Sequence, residues 1–319
     1  MPQVSQPTTH VMQHTVGVAA SADIVCDLLA DVTGWPRMFG PTVHAEQVSE
    51  DATQERIRLW ALANGEVRSW TSRRHIDRRA RRITFRQELS QPPVAAMGGE
   101  WRIAPEPGGT CSVTLLHDFA AIDDDPDGLD WIERAVDRNS AAELAALKAT
   151  AEAHEQSPDL FLTFEDGVTV NGPLEAVHAF IARCDLWPER LPHVTRLRLT
   201  EAGPGVQLMS MDTKAPDGSV HTTESVRIVL ETGRIVYKQT RVPPIMTAHT
   251  GEWVLRATPE GVRAISRHTV VVNPVTVPEV LGAGATLADA RDAVRTALGT
   301  NSLATLRLAK AHTEGGSSD

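Results

Sequence analysis

An internal repeat limits the fold of this chain more than any other feature of its sequence. Trp35-Pro36 follows the segment SADIVCDLLADVTG, and Trp187-Pro188 follows GPLEAVHAFIARCDL, a spacing of 152 residues. The same spacing relates Gly99-Glu100-Trp101 to Gly251-Glu252-Trp253, Ile83-Thr84-Phe85 to Ile235-Val236-Tyr237, and Gln87 to Gln239. Matching Gly65 to Gly218 makes the spacing 153, which places Ser72 on Ser225 and Arg74 on Arg227, with one residue absorbed near Arg78. Asn139-Ser140 resembles Asn301-Ser302 at a spacing of 162, so the second copy carries an insertion around NPVTVPEVLGAGA. At 319 residues the chain has room for two domains of roughly 150 residues each. We place them at 10–156 and 159–312, joined through HEQSPD, whose Ser and Pro mark a short linker.

Each copy reads as the same order of elements. In residues 21–33, Ser21 is a helix N-cap candidate, and Ile24, Leu28 and Val32 fall at helical spacing. The counterpart opens at Gly172-Pro173, and the Trp-Pro dipeptide starts a second short helical segment in both copies. Alternating runs then follow near 42–50, 54–63, 66–77, 81–90, 95–105 and 110–121, broken by Asn64-Gly65, prolines or Gly108-Gly109. A helix over 128–154 comes last, with Leu129, Ile132, Val136, Leu144 and Leu147 as its apolar stripe. Strand, two short helices, six strands and one long helix is the order of a helix-grip α+β domain, here in tandem. A curved antiparallel sheet wrapped on one helix encloses more volume than its side chains fill, which makes the gap the natural ligand site.

Composition excludes several other readings. The chain is 41% hydrophobic and 23% charged, ordinary for a folded globular protein. No apolar run reaches about 18 residues and no secretory signal opens the sequence, so a cytoplasmic protein without a membrane partner is expected. A net charge of -10 argues against nucleic-acid binding through a general phosphate field. Cys26, Cys111 and Cys184 are far apart and form no CxxC pair, so they read as buried small residues and no metal is expected.

The stretch VAASADIVCDLLADVTGWPRMFGPTVH, followed by SWTSRR and later VTLLHDF, resembles the polyketide cyclase/aromatase branch of the START-like (Bet v 1-like) superfamily. The tandem arrangement resembles the di-domain aromatase/cyclases of bacterial type II polyketide synthases. That resemblance implies a poly-β-ketone substrate held on an acyl carrier protein, whose first ring is closed by aldol chemistry, dehydrated and aromatised. It implies no cofactor, a chain ketoreduced before cyclisation, and ring closure between the seventh and twelfth carbons. The competing reading is a non-catalytic START-like binding or transfer protein for a lipid or aromatic ligand, because fold alone does not fix function.

Alternation along 66–77 sends Trp70, Ser72, Arg74 and Ile76 one way, and Trp70 and Ile76 mark that face as interior. Arg74 is thereby carried indoors, where a permanently charged group needs an anionic or strongly polar partner. Either it stabilises the enolate and alkoxide of an aldol closure, as the family motif implies, or it bonds a loop carbonyl or carboxylate at the cavity rim. Ser72 on the same face is a candidate donor to a substrate carbonyl. Asn139, three residues after Val136, is expected on the inward stripe of the terminal helix, as is Asn301 three after Leu298. Gln87, on a face with Ile83, Phe85 and Leu89, is a further polar candidate. Aromatics are only 4% of the chain, so Trp35, Phe39, Trp70 and Trp101, with Met97, are notable as candidate cavity walls. His117 is a candidate base or a satisfied strand histidine, and Thr42 stands where single-domain relatives carry a tyrosine.

The second copy keeps Ser225, Arg227, Gln239, Trp253 and Asn301, while Trp70 becomes Thr223 and Met97 becomes His249. The first copy matches the family motif more closely and is expected to hold the chemistry. Seven arginines lie between 73 and 86, and the turn with Arg78, Arg79, Arg81 and Arg82 is a candidate docking surface for an acidic carrier protein.

Overall fold

The computed structural model describes residues 7–51, 54–63, 65–214, 218 and 220–315. The chain divides into two units, one ending at Pro158 and the other beginning at Asp159. The first unit runs β1 (His10–Val18), α1 (Ala22–Ala30), α2 (Trp35–Met38), β2 (Thr42–Glu50), β3 (Glu55–Ala63), β4 (Glu66–Asp77), β5 (Arg82–Gln87), β6 (Val94–Glu106), β7 (Thr110–Ala121) and α3 (Pro126–Gln156). The second repeats that order with β8 (Phe161–Val170), α4 (Leu174–Ala182), α5 (Trp187–Arg190), β9 (Val194–Gly203), β10 (Val206–Lys214), β11 (Val220–Glu231), β12 (Arg234–Arg241), β13 (Met246–Thr258) and β14 (Gly261–Val272). It then adds α6 (Val277–Leu281) before the long α7 (Leu287–Gly315). Each unit has one seven-stranded antiparallel sheet, ordered β1-β7-β6-β5-β4-β3-β2 and β8-β14-β13-β12-β11-β10-β9. This is the tandem helix-grip architecture expected from the sequence.

Local chemistry sets the element ends. The Ser21 hydroxyl accepts from Ile24 N at 3.3 Å and caps α1, while Asp125 accepts from Gly128 N at 2.8 Å and caps α3. Pro36 and Pro188 sit in the first turns of α2 and α5, where the missing N–H is no loss. Strand β5 stops at Gln87 rather than running to 90. Leu89, expected inward, is therefore 77% exposed. Gly65 and Gly218 both adopt positive φ (82° and 88°) at matching turns, while Asn64 lies outside the described residues. The insertion in the second copy folds as α6, whose Val277 joins a core of Ile245, Met246, Val270, Val272, Ala290 and Val294.

The helix stripe packs on the inward face of each sheet. In the first unit Leu144, Leu147 and Ala151 of α3 meet Ile83, Trp101, Val113 and Leu115; in the second Leu306 and Ala309 of α7 meet Ile235, Trp253, Val262 and Ala264. Each fully buried leucine or isoleucine contributes about 1.5–3 kcal/mol. The repeated Gly-Glu-Trp also has a physical reason. A Cβ on Gly99 would stand 2.1 Å from Leu116 O and 2.7 Å from Phe85 Cζ, and one on Gly251 would stand 2.1 Å from Tyr237 Cζ, so each glycine makes room for a neighbouring ring and Gly99 also for the adjacent strand. The tryptophan two residues on fills the core. All three cysteines are buried free thiols.

Candidate active site

Both units build the same frame around a buried arginine. Arg74 on β4 is 2% exposed and Arg227 on β11 is 1% exposed. Each guanidinium lies over the tryptophan of its Trp-Pro dipeptide, 5.1 Å from the Trp35 ring and 5.0 Å from the Trp187 ring. Each also donates to the carbonyl end of the first helix: Arg74 to Leu29 O at 2.8 Å and Ala30 O at 2.7 Å, Arg227 to Ile181 O at 2.7 Å. The negative end of a helix dipole suits a cation there.

The frames differ at one cross-strand neighbour. Glu55 lies opposite Arg74 in the β3–β4 register, and Gln207 lies opposite Arg227 in β10–β11. Arg74 Nε donates to Glu55 Oε1 at 2.5 Å, and Arg74 Nη2 meets the same carboxylate. Arg74 thus bonds two helix-end carbonyls and a carboxylate. Arg227 Nη1 instead donates to the neutral Gln207 Oε1 at 2.9 Å, and Gln207 Nε2 donates onward to Glu201 at 3.0 Å. Burial lowers the pKa of both guanidiniums; Glu55 pulls Arg74 back up, and Cys184 is the main group that pulls Arg227 back up.

A cavity of about 850 Å³ opens beside Arg227, bordered by β10–β14, α6 and α7. Four residues on its border each carry a buried side-chain atom with no hydrogen-bond partner among the described residues: Ser225 Oγ, Arg227 Nε, Gln239 Oε1 and His249 Nδ1. Buried polar groups are nearly always satisfied, so four convergent orphans mark a place for a polar ligand. Thr223 borders the space too, where the first unit has Trp70, packed with Trp35 against Val32, Ala45, Ile57 and Leu59. Replacing an indole by a threonine removes wall volume on the same face.

Histidines sit deeper on the inward face of each sheet. His117 Nδ1 lies 3.2 Å from Ser140 Oγ, and burial lowers its pKa to about 4. Its counterpart His268 is also lowered to about 4 by burial, with Tyr237 OH at 3.2 Å and His249 Nε2 at 3.0 Å from Nδ1, and Ser266 Oγ at 3.1 Å from Nε2. Both imidazoles are neutral at neutral pH.

Several expected site residues are placed differently. Asn139 is exposed; the inward group is Ser140, because the α3 stripe advances by four through Ile132, Val136, Ser140 and Leu144. Asn301 is likewise exposed, although it borders the cavity, and Ser302 and Thr305 are the buried polar groups. Ser72 is buried on the Arg74 face as expected. Gln87 is half-buried and accepts from Ser90 Oγ at 3.3 Å. Trp35, Phe39 and Trp101 belong to the main core, and Met97 packs with Phe119, Ile132 and Val136. Trp253 borders the second cavity. Of the turn arginines, Arg78 pairs with Asp27 at 2.5 Å, Arg81 with Asp23 at 2.9 Å and Arg82 with Glu100 at 2.5 Å, so three of the four are engaged within the unit. The residues that sequence reasoning missed are Glu55, Gln207, Tyr237, Ser266 and His268. The repeat spacing of 152 already relates Glu55 to Gln207, and Tyr237 is the only tyrosine in the chain.

A family profile described as polyketide cyclase/dehydrase and lipid transport matches residues 9–152. The chain is 46% identical to the granaticin polyketide synthase bifunctional cyclase/dehydratase of Streptomyces violaceoruber, over 94% of this chain and 93% of that protein. It is 45% identical to the actinorhodin polyketide synthase bifunctional cyclase/dehydratase of Streptomyces coelicolor, over 97% of this chain and 98% of that one. Among solved structures, the di-domain ARO/CYC BexL from the BE-7585A biosynthetic pathway matches with a TM-score of 0.91 and 52% identity, over 96% of this chain and 99% of that one.

Proposed function

The chain belongs to the family of polyketide synthase bifunctional cyclase/dehydratases, and from that premise we propose that it closes, dehydrates and aromatises the first ring of a poly-β-ketone. The substrate is a ketoreduced chain on an acyl carrier protein in the cytoplasm, and the ring forms between its seventh and twelfth carbons. No cofactor is needed, because aldol closure and loss of water change no oxidation state.

The observation that carries this reading is the set of four residues with unpartnered polar atoms that border one cavity of about 850 Å³. Arg227 Nε–H and the Ser225 hydroxyl supply donors for the enolate and alkoxide oxygens, and Gln239 Oε1 accepts from an enol hydroxyl. The chemistry is therefore assigned to the second unit, where the arginine keeps a free donor, rather than to Arg74, whose guanidinium is held by Glu55. Such a polar set argues against a carrier of purely apolar ligands. Reconstituting a minimal synthase with and without this protein tests the proposal. The expected result is a shift from spontaneous, misfolded rings to one defined ring pattern; an unchanged product profile defeats it.

A further inference from the structure

His249 Nδ1 is a ring nitrogen whose protonation state is fixed by its neighbours. Tyr237 lies opposite Arg227 across β11 and β12, and the only hydrogen-bond partner of its hydroxyl among the described residues is His268 Nδ1. Burial keeps the phenol protonated, and with Tyr237 taken as the donor, His268 Nδ1 accepts. The single proton of neutral His268 then sits on Nε2 and is directed to Ser266 Oγ. His249 Nε2 approaches the same His268 Nδ1 at 3.0 Å. Since that nitrogen carries no proton, His249 Nε2–H is the donor, and neutral His249 has no proton left for Nδ1. The result is a buried, unpartnered imidazole lone pair on His249, a residue that borders the same cavity as Arg227.

Resting on the reading that this cavity is where the ring closes, we infer that His249 Nδ1 is the base that takes the proton from a methylene carbon flanked by two carbonyls. The C–H electron pair becomes the enolate double bond, and one carbonyl π pair moves to the oxygen facing Arg227. The enolate carbon then forms the new C–C bond to a second carbonyl carbon, whose π pair moves onto its oxygen as alkoxide. That alkoxide takes the proton back from His249, giving the aldol hydroxyl and the neutral ring. For dehydration, His249 removes a second methylene proton, the C–O bond breaks with its pair on oxygen, and the departing hydroxide takes that proton to leave as water. Protons balance and nothing is oxidised.

The same environment restricts the substrate. Burial and the neighbouring His268 hold the His249 pKa well below its ordinary value, so the imidazolium forms only while an enolate charge develops beside it. A base this weak serves a 1,3-dicarbonyl methylene and not an isolated ketone. His268, Tyr237 and Ser266 are positioning residues, which act by fixing the His249 tautomer.

Long-range 1H–15N spectra of the full, 15N-labelled chain test the tautomer directly. A pyridine-type Nδ1 with a pyrrole-type Nε2 is expected at His249, turning into a tautomer mixture in Ser266→Ala. A pyrrole-type Nδ1 in the wild-type protein overturns the inference, whatever the variants do. In the reconstituted assay, His249→Gln should lose on the order of a hundredfold in kcat, with KM changed by less than about twofold. Unchanged kcat in His249→Gln alongside lost activity in Arg227→Gln overturns the base and leaves the ring-closure reading standing. Unchanged kcat in both variants overturns both.

Discussion

Arg74 and Arg227 share a strand position, a tryptophan beneath the guanidinium and a helix end to donate to, yet they face Glu55 and Gln207. In the first unit the carboxylate neutralises the cation and takes up its Nε–H. In the second the amide satisfies one terminal nitrogen and leaves Nε without a partner among the described residues, beside a cavity. Duplication preserved the scaffold, and one cross-strand substitution separates a structural ion pair from a site with unsatisfied donors. Motif similarity favoured the first copy, whereas hydrogen-bond satisfaction favours the second. The lesson is physical: a buried arginine becomes useful to a ligand through what its neighbours fail to neutralise.

The sharpest way to break this contrast is to remove each arginine in turn. Arg227→Gln is expected to lower ring-closed product on the order of a hundredfold or more, as loss of a donor to a developing oxyanion does, with a smaller fall in melting temperature than Arg74→Gln. Arg74→Gln instead leaves the half-buried Glu55 and two helix-end carbonyls without a cation, which costs up to about 3 kcal/mol and shows as a fall in melting temperature. Equal activity losses with equal melting temperatures would erase the distinction between the units.

A smaller effect comes from restoring the missing charge. Gln207→Glu gives Arg227 the partner that Arg74 has, and a loss of about tenfold in kcat/KM, or about 1.4 kcal/mol of barrier, is expected from product-formation kinetics. An unchanged rate would show that the neutral amide has no bearing on the open site.

The smallest expected difference is in acid response. His117 and His268 both have folded pKa values of about 4, and His249 is also lowered, so each stays neutral when folded but gains a proton near 6.5 when unfolded. Their stabilisation is complete above about 6.5 and lost as pH falls toward 4. The second unit also holds His178 and His193, the first only His154, all lowered by burial. Glu143 in the first unit is raised to about 7 by burial, and its contribution runs the other way, lost as pH rises through 7. Acidification from pH 7 to 5 should therefore expose β13–β14 amides before β6–β7 amides in hydrogen exchange corrected for intrinsic rates. Equal loss of protection would count against the histidine asymmetry.

The repeat, the element order and the inward face of β4 were legible in the sequence, because alternation and helical spacing are local properties. Asn139 shows where local counting fails: steps of three and of four from Val136 both stay near one helix face, and only packing against the sheet selected Ser140. The glutamate facing Arg74 was in view at the repeat spacing, but its meaning depended on strand register. The same holds for Tyr237, His249, Ser266 and His268, which come from three strands and are unremarkable until antiparallel pairing brings their polar atoms within about 3 Å of one another.

By itself, then, the sequence determined a duplicated, helix-wrapped sheet with a cation carried indoors twice, since hydrophobic periodicity specifies which faces are buried. Only the tertiary structure decided which cation stays unneutralised and where volume is left beside it. Cross-strand neighbours and helix packing set those two properties, and both depend on contacts between residues far apart along the chain.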